Sequence, residues 1–265
     1  MLEAISGLVT LALLGLSAVI GVRLLRLSAR RSGSPERWLG LYFLLYSALA
    51  TGLSVGTYVG WSSANVTLPD LVVRLLNGGF FTASTLGLGC LLLFTQRTFR
   101  AASSGAQTGL GITIGIMVSM TLWTGVSTGF EIELLPGPPY WIHWAARLSG
   151  WIWVAGESFA YWSKQRRRLA LGLADPIVSN RFLLWAVWGV LMTLMAFADP
   201  LARLWYFHLA GSTTKWLVEV GRPIIQVVVP VSCGFNIGAV ALLVLTFFPT
   251  AGYKRWLTRD YATPA

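Results

Sequence analysis

Seven apolar stretches constrain this chain more than any other feature, each at or above the roughly 20 residues that a helix rising about 1.5 Å per residue needs to cross a bilayer. They run over residues 2–25, 38–61, 71–95, 109–130, 140–163, 182–207 and 223–248. The links between them are too short for a soluble domain, so the expectation is one all-α domain over residues 1–265, a polytopic membrane protein folded as a seven-transmembrane helix bundle. Composition agrees: 55% of the residues are apolar and 11% charged, too little polar surface to coat a soluble globule of this length.

The net charge of +10 would suggest nucleic acid in a soluble protein. Here its distribution points to membrane orientation, and no nucleic-acid partner is expected. Arg23, Arg26, Arg30, Arg31 and Arg37 flank the first link, Arg97 and Arg100 the third, and Lys164, Arg166, Arg167, Arg168 and Arg181 the fifth, while Lys254, Arg255 and Arg259 lie in the tail. The alternate links carry Asp70, then Glu131 and Glu133, then Lys215 with Glu219. The positive-inside rule places the amino terminus outside and the carboxyl terminus inside, with anionic lipid headgroups as partners of the basic inner links. The first stretch follows Glu3 and ends in a cationic stop, so it is expected to stay as a span rather than act as a cleaved signal.

Within the stretches, Cys90 and Cys233 read as small buried residues without a disulfide. Span 2 carries Ala48, Gly52, Gly56 and Gly60, and span 4 carries Gly111, Gly115 and Ser119, each at four-residue spacing. Such ladders let helices approach closely, within one bundle or in a homo-oligomer through helix 2 or helix 4. Trp38, Trp61, Trp141, Trp162, Trp205, Trp216 and Trp256 sit near span ends as interfacial anchors, whereas Trp151, Trp153, Trp185 and Trp188 lie mid-span, as core packing or as the lining of an aromatic cavity.

Charges at membrane depth cost roughly 2.5–3.5 kcal/mol each and mark candidate sites. Arg74 and Asn77 open span 3, His143 and Arg147 lie one turn apart on span 5, Asp199 and Arg203 one turn apart on span 6, and Arg222 with Gln226 opens span 7. In the expected orientation all eight fall in the outer half of the bilayer. Asp199 and Arg203 are placed to pair, with Pro200 weakening the turn before them. Arg222, Gln226, Cys233 and Asn236 share one stripe, which should face the bundle. The surplus of arginine over Asp199 gives either a register-holding ion network or an outward-facing, cation-lined cavity for a small anionic or amphipathic ligand. Glu157, lower on span 5 near Tyr161, reads as interfacial.

Several chemistries are excluded. His143 and His208 cannot build a three-histidine zinc site or paired bis-histidine haems, and no phosphate loop, nucleophile elbow or zinc-protease signature occurs, so no cofactor, metal or enzymatic activity is expected. Seven spans suggest comparison with rhodopsins and receptors, but residues 223–248 contain no lysine to hold retinal.

The fifth link reads Arg166-Arg167-Arg168-Leu169-Ala170-Leu171-Gly172-Leu173-Ala174-Asp175-Pro176 and continues Asn180-Arg181-Phe182-Leu183-Leu184-Trp185. With Arg30-Arg31 and Pro35-Glu36 in the first link, this resembles a group of uncharacterised bacterial seven-helix inner-membrane proteins. The resemblance implies a bacterial inner-membrane location and carries no activity. The functional expectation is a sensor or binding protein. A transporter or channel is the alternative, given Pro200, Pro223 and Pro230, and a membrane scaffold is the third reading.

Overall fold

The computed structural model describes residues 2–30, 35–62, 68–131, 137–210 and 216–259; of these, the side chains of 2–6, 58–62, 198–199, 202–203, 205–210, 216–230 and 232 lie outside the described set. Everything described is helix, turn or connection. The elements are α1 (Leu2–Ser28), α2 (Glu36–Tyr42), a π-helical segment (Phe43–Ala50), α3 (Thr51–Ser62), α4 (Asp70–Phe99), α5 (Ser104–Thr128), α6 (Pro138–Ala170), α7 (Pro176–Ala210), α8 (Trp216–Phe247) and α9 (Ala251–Arg259). Among the described residues five helices are long and apolar enough to cross a membrane, or six if α8 and α9, bent by 78°, count as one broken span. The chain is a membrane-embedded helical protein.

Most helices run beyond the apolar stretches until local signals stop them. Ser103 caps α5, its hydroxyl accepting from the Ala106 N–H at 3.3 Å. Gly129, at φ 59°, ends the same helix in the left-handed conformation that glycine adopts without strain. Pro138 and Pro139 open α6, where a missing N–H costs nothing. Asp175 accepts from the Ile177 N–H at 2.8 Å, so the Asp-Pro turn does lead into α7.

α1 packs on α2, the π segment and α8; α4 packs on α2, the π segment, α3, α5 and α6; α6 packs on α5 and α7, and α7 on α8. The bundle is thus a ring in which α5 lies outside, against α4 and α6. Its interior is aromatic. Trp151 stands edge-on to Tyr42, Tyr46 and Trp188 at 5.3–5.7 Å between ring centroids. Trp185 and Trp188 stack at 4.4 Å, and Phe43 packs on Phe247 at 5.6 Å. Trp151, Trp185 and Trp188 are buried, so the mid-span tryptophans fill the core, contributing aromatic pair energy beyond their buried area. Cys90 and Cys233 are buried free thiols.

The small-residue ladders behave differently from one another. The π segment ends at Ala50, and four steps across that boundary still make close to one full turn, so Ala48 and Gly52 share one face. Gly52 meets nothing within 4 Å, Gly56 faces Leu76, and on α5 Gly111 and Gly115 face open space. The tight approaches lie elsewhere: a Cβ on Gly87 would stand 2.6 Å from the Tyr46 nitrogen, and one on Gly21 or Gly40 would stand 3.0 Å from the other's carbonyl oxygen.

Candidate functional site

At the end of the bundle where α4 begins, Arg74 donates from Nε to Asp70 at 2.7 Å and also pairs with Glu131, which follows α5. Two carboxylates therefore neutralise a guanidinium expected to contribute surplus positive potential. The reason is local: Asp70 lies one helical turn before Arg74, and the αL turn after α5 brings Glu131 across. Arg74 joins α4 to α5 with both carboxylates beside it.

Asn77 belongs to the same joint. Its side-chain amide donates to the Phe130 carbonyl at 2.8 Å. Phe130 itself takes φ 62°, a conformation uncommon outside glycine and retained only where the surroundings enforce it. They do so here: Cβ atoms on Gly78 and Gly125 would stand 2.8 and 2.7 Å from its ring, so two glycines make the slot it fills. The ring lies 6.1 Å from Phe81, which lies 5.6 Å from His143.

Behind this plug, His143 is 2% exposed. Its Nε2 bonds the Thr85 hydroxyl at 3.0 Å, Thr85 bonds the Thr121 hydroxyl at 2.9 Å, and Thr121 donates to the Met117 carbonyl at 2.9 Å. A buried imidazole is thereby tied to α4 and α5 through two hydroxyls, each able to donate and accept. One turn further along α6, Arg147 donates to the Tyr46 hydroxyl at 2.8 Å and lies 5.6 and 5.8 Å over the rings of Tyr46 and Phe80. Tyr46 stands on the π segment and stacks on Tyr42, whose hydroxyl accepts from Ser47 at 3.3 Å. The guanidinium is held in its plane by a hydroxyl and two aromatic faces, an arrangement that suits Arg and would not suit Lys.

On the neighbouring helix pair, Trp144 donates from Nε1 to the Ala196 carbonyl at 2.7 Å and packs 5.3 Å from Phe197. Pro200 sits four residues beyond Ala196 in α7 and has no N–H to offer that carbonyl. The α6 tryptophan supplies the missing donor, fastening α6 to the weakened turn of α7.

The structure thus brings His143 and Arg147 together against α4 and the π segment, and sends Arg74 and Asn77 to the α4–α5 joint. The side chains of Asp199, Arg203, Arg222 and Gln226, with the expected Asp199–Arg203 pair, lie outside the described residues. Glu157 is 14% exposed and pairs with Arg100 at 2.8 Å while accepting from Trp153 Nε1 at 3.3 Å, so it ties α6 to the end of α4. Thr85, Thr121 and Tyr46 escaped sequence reasoning. A threonine in an apolar helix usually satisfies itself on the carbonyl four residues back, so nothing in its identity marks one that also bonds a neighbouring helix.

No family model, no curated protein and no solved structure matches the chain.

Proposed function

We propose that this protein is a bacterial inner-membrane sensor or binding protein with seven spans, its amino terminus outside, and that its outer half takes a small anionic or amphipathic ligand at His143 and Arg147. The observation that carries this reading is a buried His143 and a half-buried Arg147 one turn apart on α6, oriented by Thr85 and Tyr46. Side chains of this kind at membrane depth are costly and commonly functional. An orientated guanidinium presents paired donors to a carboxylate or phosphate. Asp199, Arg203, Arg222 and Gln226, on the same half of α7 and α8, would complete the site. The reading assigns binding and no catalytic step.

In this arrangement α6 and α8, 33 and 32 residues long, supply the crossings beyond the five apolar helices. α6 falls short in hydropathy because it carries His143, Arg147 and Glu157, which are held by Thr85, Tyr46 and Arg100 on neighbouring elements. A transporter is the second reading, favoured by the π segment beside Arg147, since such stretches often mark hinges. The open Gly111–Gly115–Ser119 face of α5 is the surface proposed for a homo-oligomer.

The test is native mass spectrometry of the full chain purified gently from its own membranes. A copurifying small acid should be present with the parent and with Arg74→Gln, and lost with Arg147→Gln. Loss with both variants alike, or no adduct on the folded parent, would overturn the site.

A further inference from the structure

The cation-rich end of α1 carries a groove that the preceding site does not use. Ala18, Val19 and Val22 line its part nearer the middle of the helix and Arg23, Arg26 and Arg30 its charged end, all on α1 and the turn that follows it, so it is a shallow, open surface groove. The opposite face of α1, with Ile20, Gly21 and Leu24, is buried in the bundle, so the groove opens toward the bilayer, where Val19 and Val22 are 56% and 40% exposed.

Its depth is fixed by the far end of the chain. Arg23 lies 5.2 Å over the Phe248 ring, at the corner where the chain turns by 78° from α8 into α9. α9 carries Lys254, Arg255 and Arg259 beside Trp256, which is 67% exposed. A short helix of that composition, set nearly across a spanning helix, lies in the headgroup plane. The arginines of α1 therefore stand at headgroup level, with the apolar part of the groove at acyl level.

We propose that this groove binds one anionic glycerophospholipid, its phosphate on Arg26 and Arg30 and its acyl chains along Ala18, Val19 and Val22. Arg26 and Arg30 are four residues apart, on one face of α1 and both exposed, as paired donors to one phosphate require. Charge selects the headgroup. The apolar half, open to the bilayer, selects a lipid over a free phosphate.

Native mass spectrometry of the full chain with phosphatidylglycerol or phosphatidylcholine in detergent tests the assignment. Each arginine removed should weaken retention of phosphatidylglycerol about fivefold, so R26Q/R30Q should lose it almost entirely. The charge-matched R167Q/R168Q should keep it, and V19W, which fills the acyl part without changing charge, should lower it. Equal loss from both double variants, equal retention of phosphatidylcholine, or no effect of V19W would overturn the proposal, the last by pointing to headgroup or free-phosphate binding alone.

Discussion

Replacing Trp144 with Phe removes one indole N–H from the bundle and leaves an aromatic ring facing Phe197. The partner left behind is the Ala196 carbonyl, now accepting from Trp144 at 2.7 Å, with Pro200 unable to serve it from within α7. A buried acceptor stripped of its donor costs about 1–3 kcal/mol. The smaller ring adds a packing loss, so W144F should destabilise by about 2–4 kcal/mol in total. What isolates the hydrogen bond is its rescue. Pro200→Ala gives residue 200 an N–H that reaches the Ala196 carbonyl as an ordinary helical bond, so W144F/P200A should recover about 1–2 kcal/mol relative to W144F alone. In the parent background, where Trp144 already serves that carbonyl, the same substitution should gain less. Reversible unfolding in mixed micelles, followed by tryptophan fluorescence, measures all four proteins. If P200A changes stability equally in both backgrounds, the two sites are uncoupled, and the tryptophan does not stand in for the proline's missing donor.

Gly87→Ala should destabilise by about 1–3 kcal/mol, because its Cβ would press on the backbone of Tyr46 and one helix must give way; Gly115→Ala, facing open space, should stay within about 0.5 kcal/mol of the parent in the same unfolding assay. Equal effects would mean that α4 does not approach the π segment as closely as described. For orientation, single cysteines on a background lacking Cys90 and Cys233 should be labelled from outside intact cells at position 65 and spared at position 104, and the reverse pattern would invert every inside and outside assignment.

Contiguous apolarity made the membrane helices legible, because a span is bounded by where charge becomes tolerable, and that boundary is written residue by residue. Terminal signals were equally local: Gly129, Pro138 and the Asp175-Pro176 turn act within a few residues of themselves. The π segment was not legible. Phe43–Ala50 is an unremarkable apolar run whose extra width has no marker in composition. At the site, His143 and Arg147 stood out because charge at depth is rare, while their holders Thr85 and Tyr46 are ordinary in any membrane helix. Arg74 looked like surplus charge because Asp70 and Glu131 were assigned to separate links. The fold joins those links through Phe130, whose positive φ only tertiary packing could impose.

The polar face of α6 has a consequence for how the protein is made. A helix carrying His143, Arg147 and Glu157 partitions poorly into lipid on its own, since each such group adds kilocalories to its transfer. Its neighbours α4 and α5 precede it in the chain, and they hold Thr85 and Thr121, which tie down His143, while Arg100 at the end of α4 pairs with Glu157. If α6 crosses the membrane as proposed, it would insert most readily while α4 and α5 still stand beside the exit channel, so that it leaves the aqueous pore directly onto protein.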